Sequence, residues 1–502
     1  MGYRDLREYM AVLEERGKLK RVTKEVDRDW EIASIARCVF QGVEESKRYA
    51  LLFENIKGFE GSLATGVLGA SREVYALALG TTTDKIYEKW ADSAASQIPP
   101  IEVKTGPVKE VVLKGDDVDL LKIPVPVWTP GRDGGPFITS PCVISKDPDT
   151  GVQNVGTYRM MIKGRNQTCI LIFAPQHIGF HYGKYEARNE PMPVAVAIGV
   201  DPSIGLTSVA KVPFGVDELA VAGGMRGEPV EVVRGETVDL LVPATAEYVI
   251  EGFVPPHVRV SEGPFGEYSG YMGTRDETPI LNVTCITHRH RPIYQAYTSQ
   301  MPPSESSCLR GQAFASGIWR QLVRELKEPG VIDVHITESS GSQAHVIVQM
   351  KPRYPGHAKR VALIVSGLDP LYGKIVTIVD PDIDIRDHFS VDWALSYRVD
   401  PARDVTIIPN VMALPLDPST EDPSNVTTAK PFEERVQVKG SKMLIDATVK
   451  NAYPEISLAP AEHLNRAIAE WGELGLPPLE LPNRFKLLLQ HHPPGESFRP
   501  YQ

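Results

Sequence analysis

Residues 261–273 read SEGPFGEYSGYMG, and their composition decides what this part of the chain can form. Two acids, Glu262 and Glu267, stand five residues apart. Between them lie Gly263, Pro264, Phe265 and Gly266. Proline restricts φ and lacks an amide donor, while glycine permits turns and close backbone approach. We therefore predict an irregular loop that presents two carboxylates, rather than a helix or a central strand.

Short β-like runs separated by Gly, Pro and Asp turns surround this loop, from about residue 108 to residue 300. In chain order they are EVVLKG, CVISKDP, CILIFAP, VAVAIGV, EYVIEGFVP, LNVTCITHR and IYQAYTS. Many short strands at close spacing are typical of a β-barrel or a β-sandwich. Helical pieces such as VDELAVAGGM interrupt the pattern.

The flanking regions mix helix and strand. Apolar residues at positions 6, 9, 10 and 13 predict an N-terminal amphipathic helix. Towards the C-terminus, RVALIVSG and GKIVTIVDPDIDI are β-branched runs that we interpret as buried strands, and PAEHLNRAIAEWGELG as a late amphipathic helix. Residues 417–441 are predicted to form a long loop, and the Pro-rich tail to lie on a neighbouring surface.

The fold class predicted from these patterns is mixed α+β. A chain of 502 residues exceeds one ordinary core, so several domains are expected. The predicted divisions are an N-terminal α/β region (1–107), a β-rich barrel or sandwich domain (108–305), a C-terminal α/β domain (306–475) and a Pro-rich tail (476–502).

Composition narrows the classes of function. The net charge of −10 is spread along the chain, which disfavours nucleic acid as a partner. We find no apolar run long enough to span a membrane and no signal-peptide pattern. Five scattered cysteines without CxxC spacing favour a reduced, cytoplasmic protein.

The two acids of the opening loop are candidates for proton transfer. Burial against aromatic rings raises the pKa of a glutamate, so Glu267 beside Tyr268 could donate a proton near neutral pH. The alternative is a turn whose acids are solvated or cap a helix.

Two further sets of side chains suggest chemistry. Asn154, His177 and Glu218 offer oxygen and nitrogen donors that suit Mn²⁺ or Mg²⁺ better than zinc. The guanidinium of Arg159 can hold a carboxylate through two parallel hydrogen bonds, although a structural ion pair is the alternative for this residue. Spacing alone leaves both assignments open.

Several motifs together resemble one known family over nearly the whole chain. They are QNVGTYRMM, APQHIG, VPFGVDELAVAGGMRGEPVEVV, VPATAEYVIEG, GPFGEYSGY, VDPDIDI and GSKMLIDAT. In this order they resemble the UbiD family of decarboxylases, which use prenylated FMN. The resemblance implies an N-terminal α/β part, a central split β-barrel like that of flavin reductases, and a C-terminal α/β domain that mediates dimers.

The resemblance also implies roles for individual residues. The family's catalytic Glu–Arg–Glu set matches Glu262, Arg159 and Glu267. The ligands of the metal that holds the flavin phosphate match Asn154, His177 and Glu218, with Mn²⁺ or Mg²⁺ as the ion. The remaining cofactor-binding positions are Val155, Gly156, Thr157, Tyr158, Arg159 and Gln176, and backbone at Val155 and at residues 207–210 matches a K⁺ site. Leu368 aligns with a family lysine near the phosphate, so that contact stays unassigned.

The implied reaction is reversible, non-oxidative decarboxylation of an aromatic or α,β-unsaturated acid, with CO₂ as the co-product. The positions aligned with the substrate pocket are Phe173, Gln176, Tyr268, Arg310, Tyr372, Leu414 and Leu416. Arg310 is unusual among them because related enzymes commonly have an uncharged residue there, and an unpaired buried cation is costly. We hypothesise that it meets a second acidic or phenolic group of the substrate; the alternative is that it turns away and pairs with Glu305 or another acid.

Other classes of function remain open at this point. The chain could be a carboxylase or a non-catalytic subunit of a multi-subunit complex, or a redox flavoprotein that uses ordinary FMN and a nicotinamide. The favoured class predicts a flavin prenyltransferase as the source of the cofactor and a homodimer or larger homo-oligomer.

Overall fold

The computed structural model describes residues 2–172, 176–273, 276–370, 372–412, 414, 416–420 and 439–492. The chain divides into two compact units. The first comprises residues 1–317 and 416–437, and the second residues 318–415 and 438–502.

Helices occur in both units. Within the described residues the α-helices are α1 (Leu6–Glu15), α2 (Glu31–Gly42), α3 (Arg72–Ala78), α4 (Ile86–Ala95), α5 (His177–Ala187), α6 (Pro202–Thr207), α7 (Glu218–Arg226), α8 (Glu305–Trp319), α9 (His357–Leu368), α10 (His388–Arg398), α11 (Pro401–Asp404), α12 (Ala461–Glu470) and α13 (Asn483–His491). The predicted N-terminal helix is confirmed as α1, which buries Leu6, Tyr9, Met10 and Leu13.

Most strands lie in the first unit. They are β1 (Leu19–Val22), β2 (Ala50–Phe53), β3 (Ser62–Thr65), β4 (Ile101–Glu102), β5 (Val111–Lys114), β6 (Phe137–Ile138), β7 (Cys142–Lys146), β8 (Gln153–Thr157), β9 (Met160–Gly164), β10 (Gln167–Cys169), β11 (Met192–Ile198), β12 (Glu231–Arg234), β13 (Leu241–Pro243), β14 (Tyr248–Val254), β15 (Arg259–Glu262), β16 (Phe265–Gly266), β17 (Met272–Gly273), β18 (Asp276–His288) and β19 (Ile293–Ala296). The second unit contains β20 (Val331–Ile336), β21 (His345–Met350), β22 (Ile375–Val379), β23 (Val405–Met412) and β24 (Lys439–Ala447).

The largest sheet of the first unit must curl. Its strand order is β6-β9-β10-β18-β14-β11-β7-β8, with β15 and β5 also paired to β18. If the sheet were flat, the six spacings from β9 to β8 would separate these strands by about 29 Å. Only Tyr158 and Arg159 connect them, a link that reaches roughly 11 Å at most. The sheet therefore curls into a split barrel, which confirms the expectation from the family resemblance.

Both faces of the barrel sheet are buried. Along β11, Val194, Val196 and Ile198 pack into one apolar cluster, while Ala195 and Ala197 pack into another. Side chains of a strand alternate between faces, so one strand supplies two cores. The remaining sheets of the unit are β1-β2-β3-β19, β13-β12-β4 and the hairpin β16-β17.

The second unit is built on a five-stranded mixed sheet in the order β20-β21-β22-β24-β23. The prediction of a strand for RVALIVSG (residues 360–367) is wrong, since this segment belongs to α9. Over the whole of α9, which begins at His357, the buried residues Ala358, Val361, Ala362 and Val365 recur with helical spacing. The β-branched composition of the shorter run concealed that period.

The Pro-rich tail contains a helix that the sequence did not lead us to expect. α13 lies against the segment 380–387 of the same unit. Arg484 donates to Asp387 at 2.7 Å, and His492 Nε2 lies 2.7 Å from Asp382 Oδ2. Residues 421–438, most of the predicted long loop, and residues 493–502 lie outside the described part of the chain.

Among the helices that the structure describes, none combines the length and the apolar character that crossing a bilayer requires.

Candidate active site

Arg159 lies on the two-residue link between β8 and β9, where the two ends of the curled sheet meet. Its Nε and Nη2 atoms each donate to one oxygen of Glu262 at 2.9 Å. Glu262 ends β15 and is fully buried. A bidentate pair of this kind fixes the plane of the guanidinium as well as its position.

The second acid approaches the same guanidinium from the β16-β17 hairpin. Nη1 of Arg159 donates to Oε1 of Glu267, whose residue is 7% exposed. The Glu267 amide donates to the Tyr271 carbonyl at 2.8 Å, which closes the hairpin. The ring of Phe265 lies beneath Arg159, with its centroid 5.1 Å from the guanidinium carbon. The three residues predicted to be catalytic thus form one contiguous, largely buried cluster.

The predicted metal ligands also converge. Asn154 lies on β8, whereas His177 and Glu218 are the first residues of α5 and α7. Nδ1 of His177 is 3.1 Å from Asn154 Oδ1 and 3.8 Å from Glu218 Oε1. Side chains at such distances place oxygen and nitrogen donors close enough to bind one metal ion. The N-termini of α5 and α7 lie at the same place, because His177 and Glu218 begin these helices.

Backbone and side-chain contacts hold this donor set in place. The Val155 amide donates to Glu218 Oε2 at 2.8 Å. Asn154 Nδ2 lies 3.4 Å from the hydroxyl of Tyr158, and this contact turns the amide oxygen towards His177. Burial raises the pKa of Tyr158 to about 12, so the hydroxyl stays protonated at neutral pH.

The predicted cofactor-binding segment runs along β8. The Thr157 amide donates to the Ser208 carbonyl at 3.0 Å, and the hydroxyls of the two residues are 2.9 Å apart. The segment 207–210, predicted to share a K⁺ site with Val155, is therefore adjacent to β8. At Gly156, an added Cβ would lie 2.3 Å from the Tyr158 hydroxyl, so a larger side chain would require the Tyr158 ring to move. Gln176 is the residue before α5.

The predicted pocket residues fall in both units. Arg310, on α8, lies over the ring of Tyr268, 4.6 Å from its centroid. Tyr372 and Leu414 are buried in the second unit, and Leu416 belongs to the first. Phe173 lies outside the described residues.

The sequence did not reveal a residue that touches the acid loop. Asp133 Oδ1 accepts a hydrogen bond from the Gly266 amide at 3.1 Å. Asp133 stands in the segment TPGRDGGP, where Pro and Gly indicate a turn. An aspartate in such a segment is ordinarily a turn former, so composition gave no reason to assign it to the site.

Comparisons with known proteins agree with this architecture. Three family models match: the 3-octaprenyl-4-hydroxybenzoate carboxy-lyase N-terminal domain at residues 10–94, the Rift-related domain at 101–302 and the C-terminal domain at 313–447. The chain belongs to the UbiD family, and the expectation that it is a carboxy-lyase is confirmed.

Solved structures match over nearly the whole chain. The UbiD-class enzyme HmfF from Pelotomaculum thermopropionicum, in complex with FMN, is 36% identical, with 91% of this chain and 98% of that chain covered and a TM-score of 0.81. An evolved dimeric form of HmfF, in complex with prFMN, is 35% identical, with 92% and 98% covered and a TM-score of 0.79. Vanillic acid decarboxylase from Sedimentibacter hydroxybenzoicus is 32% identical, with 94% and 100% covered and a TM-score of 0.80.

The forked geometry at Arg159 predicts that Arg159→Lys lowers decarboxylation on the order of 100-fold, because an ammonium cannot reproduce three directed donors. Arg259→Lys is a matched control, since Arg259 pairs with Glu186 at 2.8 Å and stacks on Tyr182 at 4.9 Å. Initial rates of CO₂ release should fall for the first variant alone. Equal rates for both variants would contradict the assignment.

Proposed function

We propose that this protein catalyses reversible, non-oxidative decarboxylation of an aromatic or α,β-unsaturated carboxylic acid with prenylated FMN as cofactor. The observation that carries the proposal is the bracketing of Arg159 by Glu262 and Glu267. A cation held between two acids can bind a substrate carboxylate and keep a proton donor within reach. The membership of the UbiD family supports the same reaction.

Each of the three side chains has a separate task. Arg159 orients the substrate carboxylate, and its attraction for that group weakens as neutral CO₂ forms. Glu267 delivers a proton to the carbon that has lost CO₂ and then regains one from solvent. Glu262, through its two hydrogen bonds, holds the Arg159 guanidinium in place while the substrate carboxylate leaves as CO₂. The net change is replacement of the carboxylate by hydrogen.

The cofactor supplies what these residues lack. A carbon that loses CO₂ retains an electron pair, and prenylated FMN, when bound, would supply the electron sink that stabilises it. We assign residues 155–159 and Gln176 to the flavin. The flavin complexes of HmfF, which this chain resembles, support a flavin as the cofactor. A flavin prenyltransferase would supply its modified form.

Asn154, His177 and Glu218 would hold a divalent ion at the flavin phosphate. The donor set fits Mn²⁺ or Mg²⁺, since two of the three donors are oxygen and no thiolate takes part. The N-termini of α5 and α7 favour a phosphate at the same place. Carbonyl groups at Val155 and residues 207–210 would accept K⁺.

The substrate side of the site centres on Arg310. Burial lowers the pKa of Arg310 to about 10, and the Tyr268 ring lies against its guanidinium. The alternative partner, Glu305, has both oxygens engaged by the amides of Gly66, Leu68 and Thr298 and by the Thr65 hydroxyl. We propose that Arg310 recognises a second acidic or phenolic group of the substrate, because a buried guanidinium lying against an aromatic ring can donate charge-assisted hydrogen bonds to such a group. Phe173, Gln176 and Leu416, which belong to the same unit, are the further pocket residues that we propose.

The proposal extends to the organisation of the protein. We propose domain boundaries near residues 107, 305 and 475. We also propose that the protein forms a homodimer or a larger homo-oligomer and that it is cytoplasmic. Decarboxylation by the purified chain without partner proteins distinguishes an autonomous enzyme from a subunit.

Glu267→Gln should retain the fold and the flavin but lose turnover by at least about 100-fold, because an amide has no acidic proton to deliver. Substrate consumption and flavin absorbance are measured on the same sample. Glu186→Gln, which removes a carboxylate from the ion pair with Arg259, serves as the matched control. Turnover at the wild-type rate in Glu267→Gln would refute the role of Glu267.

His177→Ala should reduce bound manganese or magnesium to about a tenth of the wild-type content and weaken flavin retention, since one of three ligands is lost. Elemental analysis of the purified protein provides the measurement. His181→Gln is the control on the same helix, because His181 instead contacts the Ser145 hydroxyl at 3.0 Å. Unchanged metal content in His177→Ala would contradict the ligand assignment.

Arg310→Leu should abolish a preference for substrates with a second acidic or phenolic group. A hydrogen bond to a charged group contributes about 1.5–3 kcal/mol, or roughly 10- to 100-fold in kcat/KM. The panel compares simple aromatic monocarboxylates with dicarboxylates and hydroxybenzoates. The same preference in both proteins would exclude this role for Arg310.

A further inference from the structure

The loop that carries Glu267 is held by a second segment of the first unit, residues 129–136. Asp133 joins the two. Its Oδ2 accepts from the Thr129 amide at 2.7 Å, and its Oδ1 accepts from the Gly266 amide at 3.1 Å. Since Gly266 directly precedes Glu267, the second bond fixes the backbone at the base of the glutamate side chain.

A second contact joins the same segments on the other side of Phe265. The Gly134 amide donates to the Pro264 carbonyl at 2.8 Å. An added Cβ on Gly134 would lie 2.2 Å from the Gly263 carbonyl oxygen. Only glycine at position 134 allows the two backbones to approach this closely.

The same segment also reaches the strand next to Arg159. β6 follows residue 136 directly and pairs with β9, with Ile138 opposite Met160. The rings of Phe137 and Phe265 have centroids 4.4 Å apart. One continuous stretch of chain therefore contacts both the strand that begins after Arg159 and the loop that carries Glu267.

An ordinary turn would not need both oxygens of Asp133. The bond from the Thr129 amide is local and forms the turn, as aspartate commonly does. The bond from the Gly266 amide crosses 133 positions of sequence. The second oxygen thus serves the acid loop rather than the turn.

We propose that Asp133 is a positioning residue that sets where the Glu267 carboxylate lies relative to the Arg159 guanidinium. This inference rests on the proposed role of Glu267 as the proton donor. A displacement of about 1 Å at a reacting group can cost about 100-fold in rate, so loss of the Gly266 bond should slow proton transfer without affecting substrate binding.

The test uses Asp133→Asn in the flavin-loaded enzyme. Asparagine has one side-chain oxygen, so one of the two amides loses its acceptor. We expect kcat to fall about 10- to 100-fold, with KM and flavin content unchanged and with a larger solvent deuterium isotope effect on kcat. Tm should fall modestly, because one amide loses its hydrogen bond. Gly134→Ala, which forces the segments apart without touching a charge, should change the same parameters in the same direction.

Asp119→Asn is the matched control, because Asp119 Oδ1 accepts from the Leu121 amide at 3.0 Å and Oδ2 lies 3.6 Å from Arg165 Nε, and neither partner belongs to the acid loop. It should leave kcat and the isotope effect unchanged. A kcat within twofold of wild type in Asp133→Asn would overturn the proposal. So would loss of folding or of flavin in that variant, since Asp133 would then be structural.

Glu267→Gln, measured in parallel, separates the two possible failures. If Glu267→Gln is inactive while Asp133→Asn is normal, only the positioning role of Asp133 fails. If Glu267→Gln is fully active, the proposed function of Glu267 fails and the role of Asp133 fails with it.

Discussion

The site depends on where the curled sheet closes. Arg159 occupies the short link between β8 and β9, and its position is therefore set by the closure of the barrel rather than by a flexible loop. Glu262, fully buried, holds the guanidinium through two bonds of 2.9 Å. Breaking a buried pair of this kind typically costs about 3–5 kcal/mol, because the remaining charge has no compensation.

Much of the fold follows from local patterns. The period of apolar residues predicted α1, and the recurrence of short β-like runs predicted a barrel or a sandwich. The family resemblance decided for the barrel. RVALIVSG misled because eight residues are too few to separate a buried strand from a helix, and β-branched composition favoured the wrong choice. The tail helix α13 was not predicted because prolines flank it. Its contacts with residues 380–387 could not be predicted from the sequence of the tail alone.

The charged residues of the site could be predicted from the sequence, because few residue types can form ion pairs or transfer protons. Carboxylates and a guanidinium at Glu262, Glu267 and Arg159 suggested an ion network, and the family resemblance matched them to one another; the structure brings all three together. Asp133 was missed because its bond to the Gly266 amide joins positions 133 residues apart, and a backbone amide leaves no trace in sequence. Hydrogen bonds from a side chain to a distant backbone amide cannot be predicted from sequence patterns.

The most direct test of the account identifies the flavin and its activity together. The protein, produced alongside a flavin prenyltransferase, is assayed for CO₂ release from an aromatic acid, and the released flavin is analysed by mass and absorption. The account predicts that the protein retains prenylated FMN and that replacement by ordinary FMN abolishes CO₂ release. Equal turnover with ordinary FMN, or with no flavin bound, would contradict it.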